Sequence, residues 1–380
     1  DPRRALEAMI AAIVRTLSNQ IRPILHHPDF QQLEGAWKGL HQLVARTETD
    51  ETLKIKFIDL SKAELRETLE AYQGSRSRNP LFVQLHDEAY RRPGGEPFGC
   101  LVGDYYFDHR PQDVAMLREL AEICAIIHAP FLAGGAPSII GAKSWREGLG
   151  RVEDCSKSRF STGEFDPWLS LRDTENSNFL YLAIPRFLAR PLYGAATHPV
   201  AEFDFQEEDE GICTDHHAFT WFNAAYVMAI TITRAFEQHG WCAKIRGRES
   251  GGLIENLPTH IFPNDCGGVN KQCYTEIAIS ERRECEIAKT MGFISPIQNR
   301  NSEQCFFISV QSLRQLREYP NPDDTANYAL SGRLPYLLSA CRFAQYLQCI
   351  VRDHIAAYRD RHHMQNHLQT WLQQYVCDDP

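Results

Sequence analysis

With 380 residues, 43% of them hydrophobic, the chain can bury a large core, as one large domain or two smaller ones. A net charge of -9 and a pI near 5.9 argue against nucleic acid as the main partner, since phosphate binding needs concentrated Lys and Arg. No long basic run points to an anionic membrane, and no stretch reaches the length of an uncharged membrane span.

In chain order, residues 3–25 are expected to be helical, with Leu6, Met9, Ile10, Ile13 and Leu17 on one face and an interruption at Ile21-Arg22-Pro23. Asp1-Pro2-Arg3-Arg4 leads into this amphipathic helix and not into a signal-peptide core. Pro28 opens a second helix, whose apolar face is Phe30, Leu33, Trp37, Leu40 and Val44. Leu53–Leu60 alternates, with Leu53, Ile55 and Phe57 on one side and Lys54 and Lys56 on the other, which predicts a half-exposed strand. Ser61 and Glu64 form a capping box that starts a helix at Lys62 and carries it to about Tyr72. Leu81–Tyr90 is expected to be helical.

Phe98–Phe107 reads as a strand. A helix follows from Pro111, with Val114, Leu117, Leu120, Ile123, Cys124 and Ile127 inward, and Pro130–Leu132 is a second strand ending at Gly134-Gly135. This spacing predicts a right-handed βαβ unit. Gly141–Asp173 is expected as short helices and exposed loop, Phe179–Ile184 as a strand, and Arg190–Gly211 as loop, with Glu207–Glu210 a solvated acidic turn. Thr214–Gly240 reads as one long buried helix; it contains Asn223 and several Thr and meets Arg234, so it is no membrane span. Trp241–Ile245, Thr275–Ser280 and Gln304–Val310 are strand candidates, and Glu281–Met291 is a charged helix closed by Gly292. Glu318–Asp324, with two prolines, is the best linker, dividing a main domain (1–318) from a C-terminal one (319–380). The latter begins with a long helix from Pro335, whose stripe is Leu337, Cys341, Ala344, Leu347, Val351, Ile355 and Tyr358; Arg359 lies off it. The fold class is α/β (mixed α+β), with helices packed on a mixed central sheet.

No catalytic class finds its residues. Gly247-Arg248-Glu249-Ser250-Gly251-Gly252 looks like the Ser-Gly-Gly segment of a serine protease, but Glu249 replaces the Asp and no all-β surroundings are predicted; a glycine-rich turn is the better reading. His363 and His367 have metal-ligand spacing without a further ligand nearby. There is no P-loop and no dinucleotide fingerprint. The twelve cysteines, with no C-x-x-C, read as buried thiols in a reducing compartment, the cytoplasm. No cofactor, metal or catalytic residue is therefore expected. What remains is charge on regular elements: Glu276, Arg282 and Arg283 in one segment, and Arg342, Arg352 and Asp353 on the last helix. In an assembling protein such charges set partner and register.

Several long blocks carry a family resemblance. HHPDFQQLEGAWKGLHQLV (26–44), TETDETLKIKFIDLSKAEL (47–65), the blocks at 97–134 and 168–194, WFNAAYVMAITITRAF (221–236), TEIAISERRECEIAKTMGFISP (275–296) and RLPYLLSACRFAQYLQCIVRDHI (333–355) resemble, in order, the large sheath subunit of the type VI secretion system, the TssC/VipB family. The resemblance implies a phage-tail-sheath-like fold and a structural, non-catalytic role. It also implies co-assembly with the small subunit TssB/VipA and with further copies of the chain, in a contractile tube around stacked Hcp rings. The tube would sit on a baseplate and be dismantled by the AAA+ ATPase ClpV. Family members have a further N-terminal segment and C-terminal strands beyond Asp378-Asp379-Pro380, so 319–380 is expected to be the start of an inner-sheath domain facing the tube. On that basis Arg352 and Asp353 are the first candidates for subunit or tube contacts, with Arg342, Glu276, Arg282 and Arg283 alongside. A non-polymerising baseplate or adaptor paralogue is the alternative; a serine hydrolase using Ser250 is a remoter one.

Overall fold

A computed structural model describes residues 2–151, 163–195, 197–208, 216–260, 273–298, 304–357 and 360–376. Its centre is a four-stranded parallel sheet in the order β1 (Leu101–Phe107), β2 (Phe131–Gly135), β3 (Leu180–Ala183) and β7 (Phe293–Ile294). A parallel sheet must be covered on both faces, and period-two alternation sorts its side chains accordingly. Phe131, Ala133, Leu180 and Leu182 join one core with helix α6 (Pro111–Ile127), and Leu132, Tyr181 and Ala183 join another with helix α9 (Ala224–His239). The parallel strand–helix–strand unit expected at 98–135 is present, and the inward face of α6 is the one its sequence predicts.

The N-terminal part supplies α1 (Pro2–Leu25), α2 (Pro28–Ala45) and α3 (Lys62–Ala71), the last with both hydrogen bonds of its capping box in place. Helix α1 runs through Pro23, which sits in the final turn where the lost N–H costs one bond at most. Residues 80–90 form α4 (Pro80–Phe82) and α5 (Glu88–Tyr90) around a π-helical stretch, Val83–Asp87. Helices α7 (Trp145–Arg151) and α8 (Asp166–Arg172) are short helices as expected within 141–173, and Trp145, Leu149, Trp168 and Leu171 on them are buried in the core of the sheet. Among the described residues two small antiparallel sheets are also present: β4 (Phe187–Leu188) with β5 (Trp221–Phe222), and β6 (Leu253–Ile254), β9 (Cys305–Phe307) and β8 (Pro296–Gln298), in that order.

Other expectations need correction. The helix expected from Thr214 starts at Ala224, because Asn223 caps it by accepting from the Ala225 N–H, and the residues just before it pair as β5; Thr214 lies outside the described residues. Its stop at Gly240, with positive φ, is as read. Residues 241–245 and 275–280 form no strand; Ile245 and Thr275 are buried by packing, with one isolated bridge at Thr275. Of 304–310, Cys305–Phe307 is strand. Helix α10 (Glu281–Thr290) is as expected, and its C-terminal carbonyls are capped by the buried guanidinium of Arg172, which donates to Thr290 O at 2.6 Å and also to Leu313 O at 2.9 Å. Residues 322–331 form α11 (Pro322–Ser331), Pro322 taking its first turn. The C-terminal helix divides into α12 (Leu334–His354) and α13 (Arg361–Gln373). Leu337 and Cys341 of the predicted stripe are buried but Ile355 is exposed; Tyr358 and Arg359 lie outside the described residues.

Phe293 on β7 meets Trp145 and Trp168 edge-on, with ring centroids 6.0 and 5.8 Å away. Phe293→Ala should cost about 3–5 kcal/mol, read as a lowered urea midpoint, since its surroundings are too rigid to close the cavity.

Candidate assembly surface

Helix α2 packs by glycine. A Cβ on Gly35 would lie 2.3 Å from Trp221 O, and one on Gly39 would lie 2.4 Å from the Tyr226 ring. Only hydrogen permits this approach, so α2 turns its glycine face, with Leu43, toward β5 and α9. The apolar face read from the sequence, Phe30, Leu33, Trp37, Leu40 and Val44, is thereby turned outward: Leu40 is half-buried, whereas Leu33 is 57% and Trp37 60% exposed, with Phe30 and Val44 also exposed. The i, i+4 glycine pair was the overlooked signal.

The exposed apolar surface continues on both sides. Along α1, Leu6, Met9, Ile10, Ile13, Leu17 and Ile24 are exposed, and Ser18 is the one buried residue of that helix. Between the helices lies a 490 Å³ groove lined by Pro23, Ile24, His27, Asp29, Phe30 and Leu33. On the other side Phe57, 63% exposed, lies against Trp37 at 6.4 Å between ring centroids. Contrary to its alternating pattern, the segment 53–60 forms no strand: among the described residues no backbone pairs with it in a ladder.

A buried ionic cluster holds this surface in place. Arg190 forks onto Glu207 (2.6 and 3.1 Å) and reaches Glu34 of α2 with its Nε at 2.6 Å. The Thr220 hydroxyl donates to Glu34 at 2.9 Å, and the Tyr193 N–H to Glu207 at 2.8 Å. Burial works against the Arg190 charge, but its hydrogen bonds to Glu207 and Glu34 outweigh it and hold the guanidinium above its ordinary pKa. At the α1–α2 junction His26 faces Glu207 at 3.3 Å and Arg22 donates to Gln206 O at 3.0 Å. Glu207 is fully buried, which corrects its reading as a solvated turn: Arg190, seventeen residues upstream, draws it inward. Glu210 lies outside the described residues.

The charged residues singled out in the sequence are not brought together. Glu276 is buried, ion-paired with Arg186 and accepting from the Trp145 N–H at 3.1 Å. Arg283 donates to Leu149 O at 3.0 Å, while Arg282 is exposed and paired with Glu286 one turn on. Arg342 donates to Gly240 O and lies over Phe236, Trp241 and Tyr346. Arg352 donates to Ala89 O at 2.6 Å and Gly95 O at 3.0 Å; Asp353, 42% exposed, accepts from it, and that hydrogen bond holds the carboxyl below its usual range. Gln345, which sequence reasoning passed over, is buried and donates to Phe98 O and His128 O, each at 2.8 Å. Arg342, Gln345 and Arg352 thus share one face of α12 and donate to carbonyls at the ends of α9, α6 and α5. Ser250 is exposed on a turn whose Gly247 and Gly251 both have positive φ.

A mixed α/β body with an uncovered apolar face of this extent is built as a subunit of something larger. The family model described as VipB: EvpB/VC_A0108, tail sheath N-terminal domain, matches residues 7–314, and that of the VipB tail sheath gpW/gp25-like domain matches 323–380. The type VI secretion system sheath protein TssC1 of Pseudomonas aeruginosa is 50% identical over 381 aligned residues, covering all of this chain and 76% of the relative. The chain belongs to the VipB/EvpB tail sheath family. The resemblance read from its sequence is borne out, and with it a mixed α/β, sheath-like fold and a structural role as a sheath large subunit.

Arg190→Met leaves Glu34 and Glu207 facing each other without a cation. It should cost about 3–5 kcal/mol in chemical denaturation, whereas removing the exposed Arg282–Glu286 pair should cost under about 0.5 kcal/mol. On β1, burial lifts the Asp104 carboxyl to about 6, against a hydrogen bond from Asn223. A folded-state pKa above the unfolded one gives a contribution that is present below about pH 4 and lost as pH rises through 6. Asp104→Asn should therefore flatten the stability profile over that window and gain on the order of 2 kcal/mol at pH 7.5.

Proposed function

We propose that this chain co-assembles with the small sheath subunit TssB/VipA, and with further copies of itself, into the contractile helical tube of a type VI secretion system in the cytoplasm. The tube surrounds an Hcp inner tube and propels it on contraction; baseplate components and the disassembling ATPase ClpV complete its partners. The chain contributes shape and transmitted force and no catalysis. The observation that carries this reading is the uncovered apolar face of α1, α2 and 53–60, which is too extensive to stay wet and is held by buried charges in one orientation. Membership of the sheath family supplies the occupant, the small subunit. Among the described residues no helix is long and apolar enough to cross a membrane.

Residues 319–380 begin a second domain that faces the inner tube. Asp353 and Arg282 keep exposed heads on well-packed helices, so they are the charged residues best placed for subunit or tube contacts. Arg342, Arg352, Glu276 and Arg283 act behind them, holding their helices within the subunit.

Co-expression with the small subunit should give hollow tubes in negative-stain electron micrographs. Leu33→Asp combined with Trp37→Asp should leave the thermal midpoint of the isolated chain within about 2 °C, because both side chains are already exposed. The same pair should weaken association at least tenfold, about 1.4 kcal/mol. Full association by the double variant would exclude this face, and a stable complex that never polymerises would point to an adaptor.

A further inference from the structure

Two histidines of α13, His363 and His367, stand four residues apart and so share one face of the helix, the spacing by which helices hold a metal ion. The fold supplies the further ligand that the sequence did not show. Ring contacts join Phe343 to Trp371 and Tyr375, Tyr346 to Trp371, and His354 to His367. Positions rise along α12 as they fall along α13, so the two helices run antiparallel, and residue 354 comes opposite the turn that carries 363 and 367. Asp360 fixes the start of that turn, accepting from the His363 N–H at 2.7 Å as the cap of α13.

His354 and His367 already have the spacing of two ligands on one ion. Their ring centroids are 5.1 Å apart and the planes are inclined by 70°. With metal–nitrogen bonds of about 2.0 Å and a tetrahedral angle, two imidazole centroids on one ion stand about 5 Å apart. The tautomer of His354 is set as well. Its Nδ1 lies 3.0 Å from Ile350 O, and a carbonyl oxygen only accepts, so Nδ1 carries the proton and Nε2 the lone pair. A ring N–H held by a backbone carbonyl is the usual support of a metal-binding histidine. The nearby cation of Arg352 is matched by Asp353, on which its guanidinium is forked, and its other donor goes to Ala89 O and Gly95 O.

We propose that α12 and α13 bind one zinc ion between them, through His354 Nε2 and the imidazoles of His363 and His367, with water in the fourth position. Neutral imidazole ligands suit zinc and its transition-metal neighbours, whereas magnesium and calcium take oxygen ligands. Among the described residues no three His, Cys, Asp or Glu side chains already surround one point. The ion therefore binds at the His354–His367 pair and draws in His363, which is exposed and one turn away, by rotation of its side chain. Such a clip acts where packing is weakest, since no residue of α13 is buried. An ion that needs both helices in place stabilises their docked arrangement by mass action.

Zinc titrated into the full chain, free of any histidine tag, tests the site. Calorimetry should give one tight site per chain, and saturating zinc should raise the thermal midpoint by about 2 °C or more. His354→Ala, His363→Ala and His367→Ala should each weaken zinc binding by about tenfold or more, whereas His362→Ala, on another face of α13, should leave it within about twofold. All four side chains are exposed or half-buried, so the metal-free variants should melt within about 2 °C of the parent, which separates a lost ligand from a lost fold. Absence of zinc binding by the parent would overturn the inference. Parental affinity in His354→Ala would overturn it too, because the ion would then sit on α13 alone. An equal loss in His362→Ala would do the same, since it would show unselective binding to exposed histidines.

Discussion

The orientation of α2 is the constraint on which the outer surface depends. Two glycines one turn apart let the helix approach Trp221 and the Tyr226 ring more closely than any side chain permits. Glu34, on the same helix, then reaches Arg190 and Thr220 at the edge of that contact. Steric fit chooses which face of the helix goes in, and the buried charges fix its rotation. An apolar stripe that elsewhere would be core becomes surface, and α1, joined to α2 at His26, carries it onward. A buried ion pair is weak evidence for stability but is well suited to orientation, because Arg190 accepts its two carboxylates in few geometries.

The C-terminal helices meet the rest of the chain by a different logic. Helix α12 buries Leu334, Leu337, Leu338 and Cys341 in the core shared with α9, and further along lays Arg342, Gln345 and Arg352 across the ends of three helices. Helix ends carry unsatisfied carbonyls and partial negative charge, so long donors there satisfy groups that need partners and gain from the dipole as well. The result is a joint tied at three separated points. A joint of this kind holds α12 against the rest of the chain and leaves its other side exposed.

Much of the interior was legible from periodicity. The βαβ core, the capping box at Ser61, the stop at Gly240 and the helix at 281–290 follow from local chemistry that acts over a few residues. What periodicity cannot decide is which apolar face is inward, and α2 shows why: its stripe is a perfect core pattern, and the choice is made by Gly35, Gly39 and their distant partners. Glu207 was misread for a related reason, since four acidic residues in a row look solvated until an arginine in another loop claims one. Arg342 and Arg352 were read as surface charges because the sequence offers them no partner; theirs are backbone carbonyls, which every residue carries and no pattern marks. The segment 53–60 departs from its sequence in the opposite sense, a strand by composition that lacks a ladder.

That departure and the outward stripe of α2 have one physical origin. Local propensity was set for an environment larger than the isolated chain. A helix as long as α1, with so little of its surface buried by its own chain, gains little from tertiary packing, which is where most helical stability in proteins arises. A strand without neighbours gains nothing from its backbone. Both elements are therefore least stable in the free subunit and gain most on association, so their folding free energy is in part assembly free energy. By contrast, the Arg190 cluster has its hydrogen bonds completed within the subunit. The subunit is thus divided between a body packed within its own chain and a margin of exposed apolar surface left to gain from association.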